Sequence, residues 1–138
     1  MSKDKDTVKI ISFLTFDGHL MKDLSGFCFC SKYVDTLQIF EEIVQAKQGI
    51  SGWLEQGQGH GISYKLWFFN KAVANQLFEL GTPKGNKVLN KFSVPVWIKQ
   101  NKEFSREYLR TAFDCEGSIW REENRICIRF GVFKRQLC

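Results

Sequence analysis

The sequence predicts an α+β domain in which helices alternate with pairs of strands. Hydrophobic residues make up 43% of the 138 residues, including 13 Phe, which is enough to form a core. Apolar residues recur at helical spacing in some segments and form short runs in others, and glycines and prolines separate these segments. This length predicts one domain, or one domain and part of a second.

The first half of the chain predicts α, ββ, α in order. Residues 7–16 are apolar on nearly all sides of a helix, which predicts a buried helix that ends at Asp17-Gly18. Two strands are predicted at 19–22 and 27–32, separated by a turn. A helix over 36–47 follows, for which Asp35 is a suitable cap.

The second half predicts ββ, α, α, ββ. Residues 53–58 and 62–69 predict a hairpin, and Asn70 can cap a helix over 71–80. Ser105 is the predicted cap of a last helix over 105–114, and strands are predicted at 118–121 and 125–133. The hairpin and its flank are rich in aromatic residues that either pack in the core, the favoured interpretation, or stack on bases: Trp53, Tyr64, Trp67, Phe68 and Phe69.

Composition excludes several classes of protein. No apolar run approaches the ~18 residues of a membrane span, and the first residues lack the apolar region of a secretory signal. We therefore expect a cytoplasmic protein. The 5 cysteines include no C-x-x-C pair, which disfavours both a zinc site and a disulfide framework. Cys28 and Cys30 share one face of a strand.

The formal net charge is +5, and every arginine lies after residue 105. A basic end favours a polyanionic partner, with nucleic acid as the first candidate. An ordinary solvated surface has the same composition, so charge alone does not distinguish the two interpretations.

The chain contains an internal repeat. A shift of 99 residues, which is the separation of Asp17 and Glu116, superposes residues 10–18 on 109–117. In each copy an apolar helix ends in an acid and a glycine, and a strand ending in a base follows. If the two helices pack side by side, Asp17 and Glu116 meet at one end of their contact. Paired carboxylates suit hard divalent cations such as Mg²⁺.

These residues carry a family resemblance. Residues 109–117 resemble the nine-residue LAGLIDADG motif of homing endonucleases, and residues 10–18 with His19-Leu20 are similar to the first motif of that family. Residues 80–87 and 94–98 resemble the segment that precedes the second motif. The resemblance implies an αββαββα repeat over 1–103 with a curved antiparallel sheet, and a partial second repeat over 104–138. It also implies that Asp17 and Glu116 are catalytic and bind Mg²⁺ or Mn²⁺.

The implied function is metal-dependent, site-specific cleavage of double-stranded DNA by an intron- or intein-associated enzyme. Strand and hairpin residues would then face the DNA: Lys22, Lys32, Gln56, Gln58, His60, Lys65, Arg121, Arg125 and Arg129. A non-cleaving DNA-binding module derived from such an enzyme is the alternative, and a folding fragment without autonomous function is a third possibility.

Two features depart from the family pattern. Phe16 stands where the motif has a small residue, so we expect it to separate the two helices or turn sideways. The second copy stops early, which predicts an exposed apolar patch including Tyr108, Phe113 and Trp120. Such a patch predicts self-association of the chain.

Overall fold

The computed structural model describes the backbone of residues 1–56, 63–85, 93–115, 117–122 and 125–130, and side chains only as far as residue 113. The helices are α1 (Lys5–Asp17), α2 (Val34–Gln48), α3 (Lys71–Glu79), α4 (Val96–Lys99) and α5 (Lys102–Cys115). The strands are β1 (Gly18–Leu20), β2 (Phe27–Ser31), β3 (Trp53–Gln56), β4 (Tyr64–Phe68), β5 (Gly117–Glu122) and β6 (Arg125–Phe130).

The first four strands form an antiparallel sheet in the order β1-β2-β4-β3. Cys28 pairs with His19 on one side and with Trp67 on the other, and Trp67 pairs with Trp53. Strands β5 and β6 form a separate antiparallel pair in which Ile119 lies opposite Ile128. The predicted α+β class is therefore confirmed. The specific repeat inferred from the family resemblance is not established by this architecture.

The core lies between one face of the larger sheet and the helices. Phe27 and Phe29 alternate on β2 and are fully buried, as is Phe40 of α2. The Phe40 ring stacks on Phe29 with 4.7 Å between ring centroids, and Phe27 stacks on Phe68 at 4.9 Å. Helix α1 is buried along most of its length, as its apolar pattern predicts.

Of the three predicted helix caps, the structure has one as predicted. Asn70 caps α3 as predicted, because its side chain accepts a hydrogen bond of 3.0 Å from the Val73 amide. The other two caps were wrongly predicted. Asp35 lies inside the first turn of α2, and Asn101 rather than Ser105 caps α5 by accepting from the Glu103 and Phe104 amides. Ser105 instead donates to the Ile98 carbonyl at 2.9 Å.

Gly18 follows α1, and the structure requires glycine here because of the neighbouring strand and not because the helix ends. Its φ of −141° is ordinary extended backbone. A Cβ at this position would lie 2.3 Å from the Cys28 carbonyl oxygen, so only glycine permits β1 to lie this close to β2.

Helices α1 and α5 pack side by side, which meets the condition set out above for the repeated helices. Ser12 donates a buried hydrogen bond of 2.8 Å to the Tyr108 carbonyl. Phe16 packs edge-to-face on the Tyr108 ring, with 5.7 Å between centroids, so the large residue contributes to the contact.

Tyr108 is 2% exposed. It therefore cannot belong to the exposed patch predicted above, because α1 covers it. Trp120 lies outside the described side chains, and self-association stays a prediction.

The domain boundary predicted between residues 103 and 104 falls in the first turn of α5, which begins at Lys102. Helix α5 packs on α1 of the first segment. The division into a complete and a partial repeat stays a prediction.

We predict that Phe40→Ala lowers the free energy of unfolding by about 3–5 kcal/mol, because the ring packs on four other core phenylalanines. Phe69→Ala is the matched control, since Phe69 is 67% exposed, and should cost about 1 kcal/mol or less. Urea unfolding followed by circular dichroism measures both. Equal losses would contradict this account of the core.

A second prediction concerns pH. Burial raises the pKa of Tyr108 from its ordinary value of 10.0 to about 12, and a hydrogen bond with Thr15 opposes part of that rise. The folded chain therefore holds this proton more tightly than the unfolded chain does. The contribution of the protonated Tyr108 hydroxyl to the free energy of unfolding is complete below pH 10. It is lost as the pH rises toward 12, and the loss amounts to about 2–3 kcal/mol.

Tyr108→Phe should remove that part of the alkaline loss of stability. Tyr33→Phe should retain it, because Tyr33 is 71% exposed. Urea unfolding at pH 9 and at pH 11.5 compares the two variants. The same alkaline loss in both would show that Tyr108 does not contribute.

Candidate nucleic-acid interface

The candidate site is the outer face of the four-stranded sheet, opposite the core. Successive strand residues point to opposite faces, so the residues that alternate with buried Phe27, Phe29 and Leu66 share this outer face. We define the outer face by its residues: His19, Cys28, Cys30, Trp53, Glu55, Lys65 and Trp67.

Aromatic side chains form the centre of the outer face. The His19 ring meets Trp67 edge-on at 5.9 Å, and Phe69, just beyond β4, lies parallel to Trp67 at 5.8 Å. The Trp67 indole N–H donates to a Glu55 carboxylate oxygen at 2.7 Å. These contacts hold the indole in one orientation. Trp53 and Phe69 are 60% and 67% exposed, so a planar ligand group can reach them.

The favoured interpretation of the aromatic residues as core was therefore correct for Phe68 and wrong for Trp53 and Phe69. Phe68 is 1% exposed. Three consecutive aromatic residues, Trp67-Phe68-Phe69, conceal the alternation from a reading of the sequence. Only the register shows that Trp67 lies on the outer face and that Phe68 lies on the core face.

The β3–β4 pair extends beyond the core as a ribbon. All four residues of β3 are exposed. They include Leu54 and Gln56, which the alternation of side chains along the strand places on the core face of the sheet. In the last two cross-strand pairs, Glu55 lies opposite Lys65 and Gln56 lies opposite Tyr64. Lys65 is exposed and, among the side chains that the structure describes, forms no ion pair. Both faces of this end of the ribbon are therefore accessible.

The other predicted DNA contacts are distributed around the sheet. Lys22 follows β1 and Lys32 follows β2, and both are exposed. Gln58 and His60 lie outside the described residues. The predicted arginines lie in the β5–β6 pair, where only the backbone is described: Arg121 pairs with Ile126, Arg125 with Glu122, and Arg129 with Ser118. The structure thus places Gln56 and Lys65 near the same end of the β3–β4 pair but on opposite faces, and it places Lys22 and Lys32 at the ends of other strands.

Asp17 is the last residue of α1 and is partly buried. It lines a cavity of about 290 Å³ together with Cys30, Lys32 and Tyr33. Glu116, its predicted partner, lies outside the described residues. Among the described residues, no group of three His, Cys, Asp or Glu side chains could hold a metal ion. The Asp17–Glu116 pair, its catalytic role and its Mg²⁺ or Mn²⁺ stay predictions.

Two cysteine side chains lie next to each other on the outer face. The Cys28 and Cys30 sulfur atoms are 3.7 Å apart, as their two-residue spacing on a strand predicts. Cys28 is fully buried, with His19 and Trp67 as its cross-strand neighbours. The hydrogen bond to Cys30, together with burial, raises the pKa of Cys28 well above its ordinary value. Cys28 is therefore a packed thiol in its neutral form.

Comparison with known proteins gives a distant match. No family model matches the chain. Over 121 residues the chain is 28% identical to the replication factor C small subunit of Methanocaldococcus jannaschii. The match covers 80% of this chain but only 6% of that protein's length.

This finding corrects the family assignment. The match is to a replication factor and not to a protein named as a homing endonuclease, so membership in the LAGLIDADG family and site-specific cleavage of the homing type were wrong predictions. The geometry supplies a physical reason for the misleading pattern. Close pairing of β1 with β2 requires Gly18, and packing on α5 uses Ser12 and Phe16, so these three residues of the first motif have structural roles.

None of the helices in the described part of the chain is long and apolar enough to cross a membrane. The cellular location stays a prediction.

We predict that Cys28 resists alkylation in the folded chain. The thiolate is the reactive form, and both burial and the raised pKa suppress it. With iodoacetamide at pH 8, Cys30 should react about tenfold or more faster than Cys28, as measured by peptide mass spectrometry. In urea the two rates should converge. Equal rates in the folded chain would show that Cys28 is accessible.

Proposed function

We propose that this chain is a DNA-binding module that contacts double-stranded DNA through the projecting end of the β3–β4 ribbon and the adjoining outer face. The observation that carries the proposal is the exposure of all four residues of β3. A strand that contributes little to the core yet pairs in full register with β4 presents an ordered, accessible two-stranded ribbon.

The dimensions of such a ribbon favour duplex DNA as the ligand. The major groove of B-DNA is about 12 Å wide and admits a two-stranded ribbon. Gln56 and Lys65 lie at the projecting end, where an amide can pair with adenine and an ammonium group can contact guanine or a phosphate. Lys22 and Lys32, at other strand ends, add positive charge beside the sheet.

Two further observations support a polyanionic partner. The formal net charge of the whole chain is +5. The relative that matches most of this chain is named a replication factor, and replication takes place on DNA. Since the matched segment is 6% of that protein, the relative supports the class of ligand and not a specific activity.

The test measures binding to a duplex as a function of salt. Lys65→Gln should weaken binding and make the slope of log affinity against log salt less steep by about 0.9, the value of one phosphate contact on B-DNA. Lys99→Gln, on α4 and also exposed, is the matched control and should leave the slope unchanged. Fluorescence anisotropy with a labelled duplex provides the affinities.

A second arm tests groove contact and the form of the DNA. Gln56→Ala should reduce discrimination among duplex sequences by about 1–3 kcal/mol if its amide pairs with a base. A single strand of the same sequence should bind more weakly than the duplex. Equal or tighter binding of the single strand would contradict insertion of the ribbon in the major groove. An unchanged salt slope for Lys65→Gln would contradict the proposal that this end of the ribbon contacts DNA.

A further inference from the structure

A second cavity, of about 630 Å³, lies at the opposite edge of the sheet from the ribbon. It is bordered by the end of α3, the segment that follows it, and the residues leading into α4. The segment after α3 is joined to the β1 edge, because Gly85 donates a hydrogen bond of 2.9 Å to the Leu20 carbonyl and Lys84 lies beside Leu20. This cavity is separate from the proposed DNA-binding ribbon.

The cavity has a preformed wall. Gly81 has a φ of +110° at the end of α3, and the Gly81 and Thr82 amides donate to the Phe78 and Leu77 carbonyls. This pair of hydrogen bonds is the Schellman arrangement that ends a helix. A Cβ on Gly81 would lie 2.6 Å from Pro95, so the two sides of the cavity are in close contact here. These contacts hold Thr82 in place at the edge of the cavity.

Thr82 carries the inference. Its side chain is 1% exposed, it lines the cavity, and its hydroxyl oxygen has no hydrogen-bond partner within the described part of the chain. A buried hydroxyl without a partner is costly, and such groups are uncommon in folded proteins. A ligand atom in the cavity would supply the missing partner.

The charge of the lining indicates what that ligand is. Lys22 and Lys84 both line the cavity, and no acidic side chain is among the residues that the structure places around it. The Lys84 ammonium lies 4.4 Å from the centroid of the Phe78 ring, so a cation and an aromatic surface are adjacent. Pro95 and Val96 extend the apolar part of the lining.

We propose that this cavity binds a nucleotide phosphate, with Lys22, Lys84 and the Thr82 hydroxyl around the phosphate and the apolar lining against the base. The volume lies within the range of about 300–1,000 Å³ that is common for small-molecule sites. The nucleotide is either free or the phosphorylated end of a DNA strand, since both present the same chemistry.

Calorimetric titration with AMP, adenosine and inorganic phosphate tests the ligand class. AMP should bind at least tenfold more tightly than adenosine, because adenosine lacks the phosphate. Lys84→Gln and Lys22→Gln should each weaken AMP binding several-fold, whereas Lys99→Gln should not. Measurable binding of AMP and adenosine with the same affinity, or measurable AMP binding that is unaffected by either lysine variant, would overturn the proposal.

Thr82→Val distinguishes a ligand-binding role of the Thr82 hydroxyl from a structural one, because the two roles predict different changes in Tm and in AMP affinity. Valine keeps the shape but removes the unpaired oxygen, so the ligand-free chain should have a higher Tm while AMP binding weakens. A lower Tm with unchanged AMP affinity would show that the hydroxyl is structural.

The source of the phosphate is distinguished with a short single strand carrying or lacking a 5′-phosphate. If AMP binds, the site accepts free nucleotide. If only the 5′-phosphorylated strand binds, the site holds a DNA end. No binding of AMP or of the phosphorylated strand to the wild-type chain would overturn the proposal. Lys65→Gln separates this site from the proposed ribbon, since it should weaken duplex binding and leave AMP binding intact.

Discussion

The fold depends on the burial of α1 from several sides. The sheet strands β1 and β2, helix α2 and helix α5 all contact this one helix. Its sequence permits this because it is apolar nearly all round, and because small Ser12 allows α5 close enough for a buried hydrogen bond to the Tyr108 carbonyl. Without α1, the core face of the sheet and the buried side of α5 would lose their shared partner. Burial of α1 is therefore needed both for the packing of helices on the sheet and for the packing of α5 on α1.

Burial of one face of the sheet determines the properties of the other. Because strand residues alternate, placing Phe27, Phe29 and Phe68 against the helices necessarily directs Cys28 and Trp67 outward. The outer face is aromatic and includes a buried neutral thiol, and its indole is oriented by Glu55. Binding chemistry on this face is thus linked to core packing through the strand register, since a slip of one residue would exchange the two faces.

The family resemblance shows how a packing pattern can look like a catalytic motif. An apolar helix with small residues, ending in an acid and a glycine, is what α1 needs in order to pack on α5 and lead directly into β1. The glycine is required by the Cys28 carbonyl, and the aromatic residue before Asp17 packs on Tyr108. The glycine, Ser12 and Phe16 of the first motif therefore each have a local packing role, whereas the comparison connects most of the chain with a segment of a replication factor.

The α+β class, the order of all helices and strands except the short α4, the β3–β4 pairing and the Asn70 cap followed from the sequence alone, because these depend on local periodicity and on hydrogen bonds between near neighbours. The internal repeat raised side-by-side packing of α1 and α5 only as a condition, and the structure shows that packing. Tertiary structure alone decided the exposure of Trp53 and Phe69, the burial of Tyr108, and the cavity in which the Thr82 hydroxyl lacks a partner. These properties depend on which distant segments meet. Thr82 illustrates the difference, since its surroundings come from β1, α3 and the segment before α4, and no local pattern in the sequence encodes that meeting.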